Sequence, residues 1–211
     1  KNWQETLKEH KHDIEKLLKK INLFDIWCNK LQPNEVAVKL IPEIFMDAYI
    51  SIHFAGYGLY KYTHMCLRSE LETALRLVYF STHEVEFKWW SEGNEWYRED
   101  LNWPDVWGKG YKYFGQLNEI KNFEELCEDN KKLFGSDSNL YKQLSRFIHS
   151  GAEHFQTRAD RISPKYDSDK FRKWYETCEK VQTYINIILA LGFANEFRDM
   201  TQTQRNKILN V

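Results

Sequence analysis

From Thr6 to about Leu31 the apolar residues Leu7, Ile14, Leu17, Leu18, Ile21, Phe24 and Trp27 return at intervals of three and four, the spacing that lays side chains along one face of an α-helix. No segment alternates apolar and polar residues over the length of a strand. The periodicity therefore predicts a long amphipathic helix at the start of the chain. Its recurrence further on sets the expected fold class: an all-α, antiparallel helical bundle of five to six helices, forming a single domain over residues 1–211.

Gln32, Pro33 and Asn34 are expected to end the first helix. A short apolar segment with a second break at Pro42 then leads into a very apolar stretch from Glu43 to about Tyr62, which Gly56 and Gly58 can bend. Leu67, Leu71, Ala74, Leu75 and Val78 carry the helical period on to about Ser81. Residues 87–115 differ. Ten aromatics fall between Phe87 and Phe114, with Pro104 and the glycines 93, 108, 110 and 115 limiting regular structure, so this part reads as an aromatic-rich insertion packed on the bundle. Asn122 can cap a helix through Phe134, Gly135 can terminate it, and Ser136 or Ser138 can cap the next as far as about Ser150. After a polar loop containing Pro164, the last long helix is expected from about Asp167 to Asp199.

A chain of 211 residues with 42% hydrophobic composition can bury a sizeable single core. Lys and Arg total 30 against 31 Asp and Glu, which leaves no net field to hold a long polyanion but permits a local basic patch. The cysteines at 28, 66, 127 and 178 form no CxxC pair and read as free thiols in a reducing compartment. The most apolar run, Ile185 to Ala194, is ten residues long and contains Asn186, which suits a core helix and is too short to span a bilayer. A cytoplasmic location without membrane attachment is the expectation.

Candidate chemistry concentrates on two segments. In LRSELETALRLVYF and the residues before it, His64, Arg68, Glu72 and Arg76 stand four apart and form a ridge beside the apolar positions, so that Arg68 and Glu72 can pair at the core edge. Such a pair can be an ordinary helix-edge ion pair or, with a facing partner, part of a site. The facing segment is YKQLSRFIHSG, where Leu140, Leu144, Phe147 and Ile148 make the apolar face and Tyr141, Ser145 and His149 lie along its flank. His149 near Gly151 can titrate close to neutral pH and carry a proton, with Ser145 or a carboxylate setting its tautomer; the alternative is a satisfied edge histidine.

These two segments, inside a helical chain of this size, resemble the HEPN-like domains of bacterial abortive-infection and toxin-antitoxin systems. The resemblance implies a helical bundle, and many active members are metal-independent, dimeric ribonucleases that use an Arg and a His a short distance apart. Here two residues separate Arg146 from His149, seven separate Arg146 from His154, and Phe147 follows the arginine where the family usually has a polar residue. The chain thus reads as a divergent member without the usual Arg-His motif.

Two functions are expected from this. The first is action on RNA as a homodimer, with His149 as proton carrier, Arg68 or Arg146 stabilising charge that develops on a phosphate, and Ser145 and Glu72 orienting them. The second is a non-catalytic interaction or regulatory module in which the same polar set is a structural lock and the aromatic insertion meets a protein partner. For substrate or partner binding the candidates are Tyr141, His154, Arg158, Trp89 and Trp103. Trp89, Trp90, Trp96, Trp103 and Trp107 are five of the eight tryptophans, and their rings can pack internally, stack on bases or anchor a partner. A basic stretch from Arg158 to Lys173 carries six cations against three aspartates. No metal or cofactor is expected: His149, Glu153 and His154 fit neither HExxH nor HxxEH, and the glycines of GKGYKYFG follow no strand.

Overall fold

A computed structural model describes residues 1–93, 139–148 and 165–209. Helix α1 (Asn2–Ile21) buries Thr6, His10, Ile14, Leu17 and Ile21 and is kinked at His10, whose φ of −124° and ψ of 22° are not helical. The single long helix expected at the start is in fact two. Leu23 N–H bonds to the Lys20 carbonyl at 3.1 Å and Asp25 N–H to the Asn22 carbonyl at 3.2 Å, three-residue steps that tighten the chain before α2 (Phe24–Lys30). The turn re-aims Phe24 and Trp27 so that both stay in the core, at 2% and 0% exposure.

Helix α3 (Glu35–Gly56) begins at Asn34, whose side chain accepts the Ala37 N–H at 2.9 Å. Pro42 lies inside this helix and does not break it, contrary to the sequence expectation. The carbonyl four residues earlier belongs to Val38, which is exposed, so the bond that the proline cannot make is lost on the solvent side of the helix, where water can replace it. Tyr57, Gly58 and Leu59 then reverse the chain into α4 (Tyr60–Phe80). The bend expected at the glycines is real, and it rests on Gly58, which has φ +79°. A Cβ there would stand 2.4 Å from the Lys165 carbonyl oxygen. Gly58→Ala is therefore expected to destabilise by about 2 kcal/mol, read as a lower midpoint in urea unfolding. An unchanged midpoint would mean that the turn relaxes freely.

Helix α5 (Glu84–Ser91) anchors Phe87 in the core, while Trp89 and Trp90 remain largely outside it. Helix α6 (Asn139–Ile148) packs on α4 through buried Leu140 and Leu144. Helix α7 (Ser168–Gly192) starts at Asp167, whose carboxylate accepts the Lys170 N–H at 3.0 Å, and packs on both α4 and α1. The expected run to Asp199 breaks at Phe193 (φ −120°, ψ 51°), and α8 (Ala194–Arg198) and α9 (Gln202–Leu209) complete the described chain. Phe193 and Phe197 both turn inward as a result, at 6% and 7% exposure.

The architecture is all-α, as expected, and α4 is its centre: α3, α6 and α7 all pack on it. A polar chain crosses this centre, in which the buried Trp174 indole N–H donates to Ser51 Oγ at 2.9 Å and Ser51 donates to the Thr63 carbonyl at 3.2 Å. Among the described residues no helix is long and apolar enough to cross a membrane. Most of the aromatic insertion and the helix expected from Asn122 to Phe134 lie outside the described residues.

Candidate functional site

The α4 ridge takes the form its spacing requires. Arg68 Nε donates to Glu72 Oε1 at 2.8 Å, and Arg76 Nη2 reaches the other carboxylate oxygen at 3.9 Å. The side chains of Arg68, Glu72 and Arg76 are 20%, 21% and 26% exposed, so this is an edge in contact with water. Pairs of this kind contribute only about 0.3–0.5 kcal/mol each. What makes the ridge a candidate is its neighbour.

His64, placed by spacing on the same ridge, is buried. Its Nδ1–H donates to the Tyr60 carbonyl at 2.7 Å, and its ring stacks on Phe147 of α6 with centroids 3.8 Å apart and planes at 21°. The two segments singled out in the sequence are thus packed against one another. On α6, Ser145 is half-buried and Arg146 is exposed in the last turn. Tyr141 belongs to the same helix. Trp89 is an exposed residue of α5, at 44%. His149, His154, Arg158 and Trp103 lie outside the described residues.

Pattern reading missed a buried carboxyl. Glu70 of α4 is 0% exposed, and the Gln182 side-chain amide of α7 donates to its Oε1. Glu70 Oε2 and Gln182 Oε1 are left without a partner. Burial pushes the Glu70 pKa well above the carboxylate range; the Gln182 bond opposes this, and the nearby Asp47 adds to it. Glu70 is therefore held as the neutral acid. Protonation turns Glu70 Oε2 from an orphaned acceptor into a donor, and the other orphaned oxygen, Gln182 Oε1, belongs to the residue that already bonds this carboxyl. Burial also lifts the Cys66 thiol to about 12, with the charge of Asp47 contributing, and lifts Cys178. These thiols stay protonated and unreactive.

A second constellation joins the kink of α1 to the start of α7. His10 Nδ1 meets Asp13 Oδ2 at 3.1 Å, its Nε2 meets the Tyr166 hydroxyl at 2.9 Å, and Tyr166 donates to Glu9 Oε2 at 2.7 Å. The ring is also stacked on Phe171, 4.1 Å between centroids. A tyrosine hydroxyl has one proton, so Tyr166 donates to Glu9 only while His10 Nε2 donates to Tyr166. The arrangement is a hydrogen-bonded line from Asp13 to Glu9. Its partners are 156 residues apart in the chain, and no local spacing signals it.

No protein-family model matches the chain, and no curated protein or solved structure is significantly similar to it.

Proposed function

We propose that the protein acts on RNA as a divergent HEPN-like homodimer of a bacterial defence or toxin system, with its site along the line where α6 meets α4. The observation that supports this reading is the docking of α6 on α4 through the His64–Phe147 stack. It sets the Arg68–Glu72 pair on one of two packed helices and Ser145 and Arg146 on the other. His149, two residues along the chain from Phe147, serves as proton carrier in this reading. Arg68 or Arg146 stabilises charge on the phosphate, Glu72 and Ser145 orient them, and Tyr141, His154, Arg158 and Trp103 contact the strand.

The test is incubation of purified protein with labelled cellular RNA beside His149→Ala and Arg68→Ala variants. A loss of about 10²–10⁴ in rate is expected for His149→Ala. Equal cleavage by the variant, or none by the native chain, sinks the reading.

One observation favours a non-catalytic module instead: Glu72 already meets two guanidinium groups, so the arginines of the ridge are engaged within the chain. Absence of cleavage combined with loss of partner capture on Trp89 substitution would establish that alternative.

A further inference from the structure

At the corner between α1 and α2 lies a cleft of about 870 Å³. Lys16, Lys19 and Lys20 enter it from α1 and Lys207 from α9, and the single carboxylate among its lining residues is Glu179 of α7. In a chain whose net charge is −1, four ammonium groups around one carboxylate are a local imbalance. Glu179 accounts for Lys16, 2.8 Å away. Lys20 is half-buried and its ammonium donates to the neutral Thr183 hydroxyl at 3.3 Å. Burial pushes its pKa down, partly opposed by Glu179, and the charge of Lys16 pushes it further down. Among the described residues Lys19 and Lys207 stand in no ion pair.

Lysines in the last turn of a helix complement its dipole, and that explains Lys19 and Lys20 at the end of α1. The same holds for Lys207 in the last turn of α9, but the dipoles do not explain why the lysines of two helix ends line one cleft. Lys19, Lys20 and Lys207 share the cleft with one carboxylate that already pairs with Lys16, Lys20 is partly desolvated, and an anion is what would relieve them.

We propose that this cleft binds a small phosphate-bearing anion, a nucleoside di- or triphosphate by its chemistry. A monophosphate carries too little charge for three ammonium groups, whereas a di- or triphosphate matches them with charge-assisted bonds. Leu23 and Ile26 supply an apolar floor for a base and ribose, and the volume lies within the range of small-ligand sites. A long strand is disfavoured because a chain of net charge −1 supplies no overall positive field to hold it.

Isothermal titration at about 0.15 M salt, with ATP, inorganic pyrophosphate, AMP and a short RNA as probes, decides the matter. The expected result is saturable one-to-one binding of ATP, weaker binding of pyrophosphate and far weaker binding of AMP. Lys207→Gln and Lys19→Gln are each expected to weaken ATP about tenfold, while Lys8→Gln, outside the cleft, leaves affinity unchanged. Both cleft lysines are exposed, so each substitution should change the melting temperature of the unliganded protein little, and that separates lost binding from lost folding. No saturable binding, equal affinity in the Lys19→Gln/Lys207→Gln double variant, or binding of RNA without ATP each overturns the proposal. None of these outcomes bears on the RNA-cleavage assay, whose variants lie on α4 and beyond α6.

Discussion

Trp27→Ala is expected to lower the unfolding free energy by about 3–5 kcal/mol, seen as a lower midpoint in urea unfolding followed by circular dichroism. The indole is completely buried, its Nε1–H donates to Asn186 Oδ1 at 3.0 Å, and its ring stacks on Phe197 with centroids 6.1 Å apart. Truncation removes the largest kind of apolar side chain and leaves a cavity at the junction of α2, α7 and α8. It also strands the Asn186 amide oxygen, whose Nδ2 remains tied to the Gln182 carbonyl at 3.0 Å. Trp27→Phe separates the two effects. It keeps most of the volume and loses the hydrogen bond, so a cost of about 1–3 kcal/mol is expected. A loss below about 1 kcal/mol for Trp27→Ala would show that this corner contributes little to the core.

Glu70→Gln should make the protein more stable at neutral pH, a reversal of the usual effect of changing a buried charged residue type. The second amide can accept from Gln182 Nε2 as Glu70 does, and its own N–H supplies the donor that the neutral acid supplies, without needing a proton. The pH dependence follows from the raised pKa. Between the ordinary value of 4.5 and the higher folded value, the unfolded chain has released the proton while the folded chain retains it. Stability therefore falls as pH rises through that window, and below it the group contributes in full. Across the window the difference between variant and native chain should grow by about 1.4 kcal/mol per pH unit. Asp47, whose pKa is also raised by burial, is present in both proteins, so the difference isolates Glu70. Parallel curves from pH 5 to 8 would show that Glu70 is ionised in the folded state.

The same residue shows where sequence reading stopped. Leu67, Glu70, Leu71, Ala74 and Val78 lie on one helical stripe, a spacing that puts Glu70 among core positions, but its charge led the reading to pass over it. The stripe was the truer signal, since a carboxyl can enter a core by keeping its proton. Helix class and the Arg68–Glu72 pair were legible because both depend on neighbours three and four residues apart. The breaks at Asn22 and Phe193 were not, because no proline stands at either and each is set by which aromatic the distant core accepts. Pro42 misled for a related reason: its cost depends on whether the Val38 carbonyl can reach water, which only the assembled fold decides. The line from Asp13 through His10 to Glu9 was invisible because Tyr166 comes from the far end of the chain.

The chain of bonds from Trp174 through Ser51 to Thr63 also bears on how the bundle comes apart. One hydroxyl serves three long helices at once, so lifting α7 away strands the indole N–H, and separating α3 from α4 strands the Thr63 carbonyl. Each partial opening exposes a buried polar group before it regains any chain entropy. Helices α3, α4 and α7 consequently form one cooperative unit that opens as a whole, with α9, short and joined by few buried side chains, left to fray on its own.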